Sequence, residues 1–83
     1  MKKYYVDINN GEGGNSMISA SSPKSALKKG MAWAQEADWG KKSDYPNGGI
    51  TADSHVWVRV WDGIEKSSCL TEEWFDSYDY AED

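Results

Sequence analysis

Near its start the chain alternates hydrophobic and polar residues, which predicts a β-strand over residues 3–9. The hydrophobic side of this predicted strand comprises Tyr4, Val6 and Ile8. Residues 9–15, NNGEGGN, are types that tolerate positive φ, so they predict a hairpin loop longer than two residues. Residues 17–20 should then form the returning strand.

The hydrophobic period changes at Ser22-Pro23, which predicts the start of a helix. Ser22 can accept a hydrogen bond from a free backbone N–H group, and proline is tolerated at the first helical position. The helix is predicted to reach about Trp39 and to end at Gly40. Its apolar face comprises Leu27, Gly30, Met31, Ala34 and Ala37. Because Gly30 lowers helix propensity within this face, we expect a strand or a ring to approach it closely.

The clearest alternation covers residues 55–61 and predicts a strand with two different faces. One face is made of Val56, Val58 and Val60, and the other of His55, Trp57, Arg59 and Trp61. The polar, glycine-containing residues 40–54 predict a long surface loop. Residues 71–74 begin either a short helix or a final strand, and the spacing of Trp74, Phe75 and Tyr78 favours the helix.

These elements predict one α+β domain over residues 1–83. We expect a small antiparallel sheet of three or four strands in β-β-α-β order, with one long helix packed on one face and a short C-terminal helix or strand. The last few residues are acidic and are expected to be the least ordered part of the domain.

Charge and composition narrow the classes of function. The net charge is −5 and the sequence pI about 4.7, which argues against a protein that mainly binds phosphates. A single cysteine, Cys69, excludes an intramolecular disulfide, and one His and one Cys are too few for a structural zinc site. The sequence contains no recognisable secretion signal and no apolar stretch long enough to span a bilayer, so a cytoplasmic location is expected.

The C-terminal segment interleaves aromatic and acidic residues, a composition that suits a basic groove on another protein. The predicted contact residues are Glu72, Glu73, Trp74, Asp76, Tyr78, Asp79 and Tyr80. The leading hypothesis is therefore a small non-catalytic protein-binding module whose partner is a larger protein with a basic surface. By analogy of size and charge, phage or mobile-element inhibitors occupy nucleic-acid-binding sites in this way. Both a monomer and a homodimer are compatible with the sequence.

The polar face of the strand at residues 55–61 supports an alternative function. Two tryptophans flanking an arginine can stack nucleic-acid bases, so this face predicts binding of single-stranded nucleic acid. Its candidate residues are Tyr5, His55, Trp57, Arg59 and Trp61. A competing structural interpretation is that the C-terminal aromatic residues fold back over this face and bury it.

Catalytic motifs are weak in this chain. His55 and Cys69 have no recognisable nucleophile motif around them, and residues 11–14, GEGG, lack the Lys-Ser/Thr end of a phosphate-binding loop. Asp44, Asp53 and His55 match no defined metal-ligand spacing. The sequence therefore predicts no catalytic residue, no metal site and no cofactor.

Overall fold

The computed structural model describes residues 1–46 and 54–83, which form a four-stranded sheet and a helix. The main elements are β1 (Lys2–Ile8), β2 (Gly14–Ala20), α1 (Pro23–Gln35), β3 (His55–Trp61) and β4 (Cys69–Asp76). Short 3-10 turns cover Asn9–Gly11, Lys42–Asp44 and Ser77–Tyr80. The predicted α+β class is confirmed.

The strands lie in the order β2-β1-β3-β4, and every neighbouring pair is antiparallel. β1 and β2 form the predicted hairpin, and α1 connects β2 to β3, which lies on the other side of β1. β2 is longer than predicted, because Gly14 and Asn15 already pair with the end of β1. β2 and β4 are the two edges of the sheet.

The hydrophobic core lies between α1 and one face of the sheet. Its buried residues are Tyr4, Val6, Ile8, Ala20, Ala26, Ala34, Val56, Val58, Val60 and Phe75. The hydrophobic sides predicted for the first and third strands are thus confirmed. Small residues of α1 face the valines of β3, so the helix can lie close to the sheet.

α1 approaches the sheet closely at Gly30. A Cβ atom at Gly30 would lie 2.7 Å from Cγ1 of Val6 and 3.3 Å from Cγ1 of Val58. These distances leave no room for a methyl group unless the strands shift. The close approach predicted from Gly30 is confirmed.

The start of α1 agrees with the prediction, but its end does not. Ser22 Oγ accepts a hydrogen bond from the Ser25 amide at 3.1 Å, as expected of a capping residue. The helix ends at Gln35 rather than at Trp39. Trp39 instead turns back, its Nε1 donates to the Ala34 carbonyl at 2.8 Å, and its ring meets the edge of Phe75.

The helix favoured for the C-terminal segment is wrong, because residues 69–76 form strand β4 on the free edge of β3. Phe75 is buried beneath α1, whereas Trp74 lies on the other side of the strand. Helical spacing of aromatic residues is a local signal, and pairing with β3 outweighs it. A helical turn remains only at Ser77–Tyr80, where it is of the 3-10 type.

The final residues contact the segment that follows α1. The Lys42 amide donates to the Glu82 carbonyl at 2.7 Å, and the Glu82 amide donates to Gly40 at 2.9 Å. Lys42 Nζ also lies 3.1 Å from a carboxylate oxygen of Asp83. Residues 47–53 of the loop predicted over residues 40–54 lie outside the described residues. Within the described part of the chain, no helix has the length and apolar character needed to cross a membrane.

Candidate binding surface

The open face of the sheet, defined here as the face opposite α1, brings together residues from both predicted sites. Cross-strand neighbours on one face of a sheet lie close enough for their side chains to interact. Here the neighbouring pairs are Tyr5 with Trp61, Asp7 with Arg59, Arg59 with Glu72, and Trp57 with Trp74. The alternative nucleic-acid face and part of the C-terminal site are therefore one continuous surface.

Arg59 lies at the centre of the open face and is held by three contacts. Its Nε donates to Oε2 of Glu72 at 2.8 Å, and one terminal nitrogen donates to Oδ1 of Asn10 at 2.9 Å. The guanidinium carbon lies 5.1 Å from the centre of the Trp57 ring, within the range of a cation–π contact. Arg59 is thus bound internally by a carboxylate, an amide and an indole.

Lys66 makes a second ion pair on the open face, with Asp7. Its Nζ lies 2.6 Å from Oδ2 of Asp7, a carboxylate that is fully buried. The indole N–H of Trp61 donates to the other oxygen at 3.2 Å. The hydrogen bond to Asp7 raises the pKa of Lys66 above its ordinary value, although partial desolvation acts in the opposite direction. Lys66 also lies over the rings of Tyr5 and Trp61.

An aromatic stack joins β3 to β4. The rings of His55 and Trp74 are stacked with their centres 4.0 Å apart, and His55 also meets Trp57 at 5.2 Å. Trp74 nevertheless keeps 43% of its surface exposed. One side of the indole is fixed by the stack while a large part of the residue faces solvent, so Trp74 is preorganised for contact with another molecule.

The other residues predicted in the C-terminal segment take different positions. Glu73 is exposed on the helix side of β4, and Asp79 is exposed after the strand. The buried Asp76 accepts a hydrogen bond from the Tyr78 amide at 3.0 Å. The rings of Tyr78 and Tyr80 meet those of Tyr45 and Phe75, respectively, edge to face. The exposed acidic and aromatic residues are therefore Glu72, Glu73, Trp74, Asp79 and Tyr80.

The suggestion that C-terminal aromatic residues cover the polar face of β3 is wrong. β4 extends the sheet beside β3, and Trp74 becomes part of the open face instead of a lid over it. Coverage comes from the loop between β3 and β4, through Lys66, and from the hairpin loop, through Asn10. Trp57 and Trp61 are consequently half-buried.

Sequence reasoning missed the asparagines of the hairpin loop. Asn9 and Asn10 both have positive φ, a conformation that asparagine tolerates. Oδ1 of Asn9 accepts a hydrogen bond from the Trp57 amide at 2.9 Å, and Asn10 binds Arg59. Their position in the hairpin loop predicted only a turn. Nothing local indicated that their side chains reach β3.

The one cysteine and the one histidine are far apart. His55 pairs with Asp76 at one end of the β3–β4 ladder, whereas Cys69 lies opposite Trp61 at the other end. Six residues along a strand correspond to about 20 Å, so these side chains form no nucleophile–base pair. Partial burial and the nearby Glu72 carboxylate raise the pKa of the Cys69 thiol.

Among the described residues, no group of three His, Cys, Asp or Glu side chains is placed to hold a metal ion. Asp53, one of the three residues considered for a metal site, lies outside the described residues. Nε2 of His55 is buried and has no hydrogen-bond partner within the part of the chain that the structure describes.

On the other side of β4, an open groove of about 430 Å³ runs between this strand and α1. Leu27 and Met31 supply apolar lining, and Lys24, Lys28 and Glu73 supply charged groups. The β4 edge, defined here as β4 with its exposed side chains, thus has the Trp74 stack on one side and this groove on the other.

Comparison of the chain with protein-family models, curated proteins and solved structures finds no match.

Proposed function

We propose that this domain is a small acidic protein-binding module that acts in the cytoplasm and occupies a basic site on a larger protein. The contact is made by the β4 edge and the turn that follows it, with Trp74 as the anchor and Glu73 and Asp79 as the surrounding charges; Glu72 is paired with Arg59 and contributes less. Such a module can inhibit a partner competitively when the basic site normally holds nucleic acid, as in the phage or mobile-element inhibitors considered above.

The observation that carries this proposal is the position of Trp74. It lies on an edge strand, stacks on His55 at 4.0 Å and remains 43% exposed beside acidic side chains. Tryptophan is enriched among the residues that contribute most to protein interfaces. Surrounding carboxylates accelerate association with a basic partner by electrostatic attraction.

The pairing of cations on the open face makes binding of single-stranded nucleic acid the weaker proposal. Such binding needs cations for phosphates and exposed rings for bases. Arg59 and Lys66 are instead paired with Glu72 and Asp7, and Trp57 and Trp61 are half-buried.

The experiment is capture of partners from source-cell lysate by the tagged protein, with and without nuclease treatment, followed by mass spectrometry. The captured protein is then purified and its binding is measured directly. We expect nuclease-resistant capture and a loss of affinity of at least about thirtyfold for Trp74→Ala, as for a hot-spot residue. Trp33→Ala is the matched control, because Trp33 is 37% exposed but lies on α1.

Electrostatic attraction is tested separately through the association rate. We expect Glu73→Gln to lower the on-rate, and added salt to lower the on-rate of the unaltered protein. Glu12→Gln removes the same charge from the hairpin loop and should have less effect. An on-rate that does not depend on salt concentration would contradict the proposal, and so would loss of capture after nuclease treatment. Quenching of tryptophan fluorescence by an oligothymidylate would then support the nucleic-acid alternative.

A further inference from the structure

The sequence of β2, an edge strand of the sheet, lacks the features that usually prevent edge strands from pairing. Among the described residues no strand pairs with it, and its sequence GNSMISA contains no charged residue and no proline. Its seven residues pair with β1 in an unbroken register, without a bulge. Charges, prolines and bulges are the common protections of edge strands, so the free edge of β2 is open to pairing apart from the Ser19 carbonyl, which Lys29 contacts.

Exposed apolar side chains lie near both faces of this edge. Met17 lies on the open face, beside Tyr5, and is 44% exposed. On the helix side Trp33 is 37% exposed, and its ring would lie 3.6 Å from a Cβ atom at Gly14. A strand added at β2 would therefore be flanked by apolar surface as well as bound by backbone hydrogen bonds.

A second copy can occupy this edge without bringing charged strand residues together, and the distribution of charge favours β2 over β4 as the edge through which two copies pair. In an isologous contact the same surface of both copies meets, so a charged edge strand faces an identical charged strand. Like charges placed opposite each other are unfavourable. Pairing of two β4 strands would bring Glu72 and Glu73 together with their counterparts, whereas pairing of two β2 strands brings no charged strand residues together.

The distance between the two β4 strands of such a dimer also favours pairing through β2. If two sheets join through β2, seven strand spacings separate the two β4 strands, which is about 34 Å. This exceeds the Debye length of about 8 Å at physiological ionic strength, so the repulsion between the two β4 edges is largely screened.

We propose that the chain forms a symmetric dimer in which the outer edge of β2 pairs antiparallel with β2 of a second copy. The two four-stranded sheets then become one continuous sheet. Both β4 edges remain free at its ends, so the dimer can present two copies of Trp74. This inference does not depend on the proposed function, because it concerns the opposite edge of the sheet.

Lys29 competes with this pairing at one end of β2. Its Nζ donates to the carbonyl of Ser19 at 2.7 Å. A second strand that bonds to this carbonyl must displace the ammonium group. We therefore expect an equilibrium between monomer and dimer, and Lys29→Met should shift it towards the dimer.

The test is sedimentation equilibrium of the full chain from about 10 μM to about 1 mM in about 150 mM salt. We expect reversible dimerisation, weakened at least about tenfold by Met17→Lys, which places a charge in the middle of the edge. Leu70→Lys is the matched control, because Leu70 is 41% exposed and lies on β4. It should leave the dissociation constant within about twofold of that of the unaltered chain.

Hydrogen exchange of the unaltered chain gives a readout that needs no variant. Amides of β2 should exchange more slowly as protein concentration rises, while those of β4 should not change. A monomer throughout the concentration range, a dimer that withstands Met17→Lys, or concentration-dependent protection of β4 in place of β2 would overturn the proposal. Circular dichroism of each lysine variant establishes that it is folded.

Discussion

On the helix side of β3, Val56, Val58 and Val60 are buried under α1, whereas the side chains on the open side of the same strand are half-buried. The helix side uses small aliphatic groups and excludes water by close packing. The open side uses large rings and ion pairs that bridge neighbouring strands. This domain thus covers its second sheet face with cross-strand contacts, and no second layer of helices lies over that face in the described residues.

The difference shows how a small domain can combine stability with a binding surface. Cations and carboxylates on the open face neutralise each other, and indoles cover part of them. The network leaves Trp74 exposed at its margin. Such a surface holds an aromatic anchor in place without burying it, which lowers the cost of ordering it on binding.

The largest effect on stability should come from the helix side. Val58→Ala removes two buried carbon groups, worth about 0.8 kcal/mol each, and leaves a cavity, so we expect a loss of about 2 kcal/mol in the free energy of unfolding. Urea denaturation measures this loss, with an unchanged m-value as the control for the unfolded state. A loss below about 0.5 kcal/mol would show that α1 closes onto the strand after the substitution.

A smaller loss is expected on the open face for Asp7→Ala. This change removes the acceptor of the Trp61 indole N–H and the partner of Lys66, whose ammonium can turn towards water. We expect a loss of about 1–2 kcal/mol in urea denaturation. Asp7→Asn keeps a polar acceptor and should cost less. Equal stability of all three proteins would mean that the network contributes nothing to the fold.

The smallest expected effect concerns the ion pair of Lys66 with Asp7 on the open face, and it is measured as the pH dependence of the free energy of unfolding. Because the pKa of Lys66 in the folded protein lies above its ordinary value of 10.5, its pairing contributes fully below pH 10.5. This contribution is lost as pH rises through the raised pKa. We expect the free energy of unfolding to fall above pH 10.5 and the fall to be shallower for Lys66→Met. If the free energy of unfolding fell equally in the unaltered protein and in Lys66→Met, other titrating groups would be the cause.

Much of the fold followed from local patterns. The alternation at residues 55–61 identified β3 and both of its faces, and Gly30 indicated a close approach of the helix to the sheet. A final strand was one of the two alternatives for the C-terminal segment, but the helix was favoured because Trp74, Phe75 and Tyr78 also fit a helical spacing. Which pattern applies depends on the free edge of β3, a partner distant in sequence. Likewise, no pattern near Asp7 in the sequence indicated that its side chain is buried between Lys66 and Trp61.

The sequence by itself determined the periodicities, the helix start at Ser22, the absence of crosslinks and the excess of acidic charge. These properties depend on residues near one another in the chain or on composition alone. Tertiary structure decided that β4 is a strand, that the two predicted sites share one surface, and that Trp74 is its exposed member. Those outcomes depend on strand pairing and register, which bring together residues that are far apart in sequence.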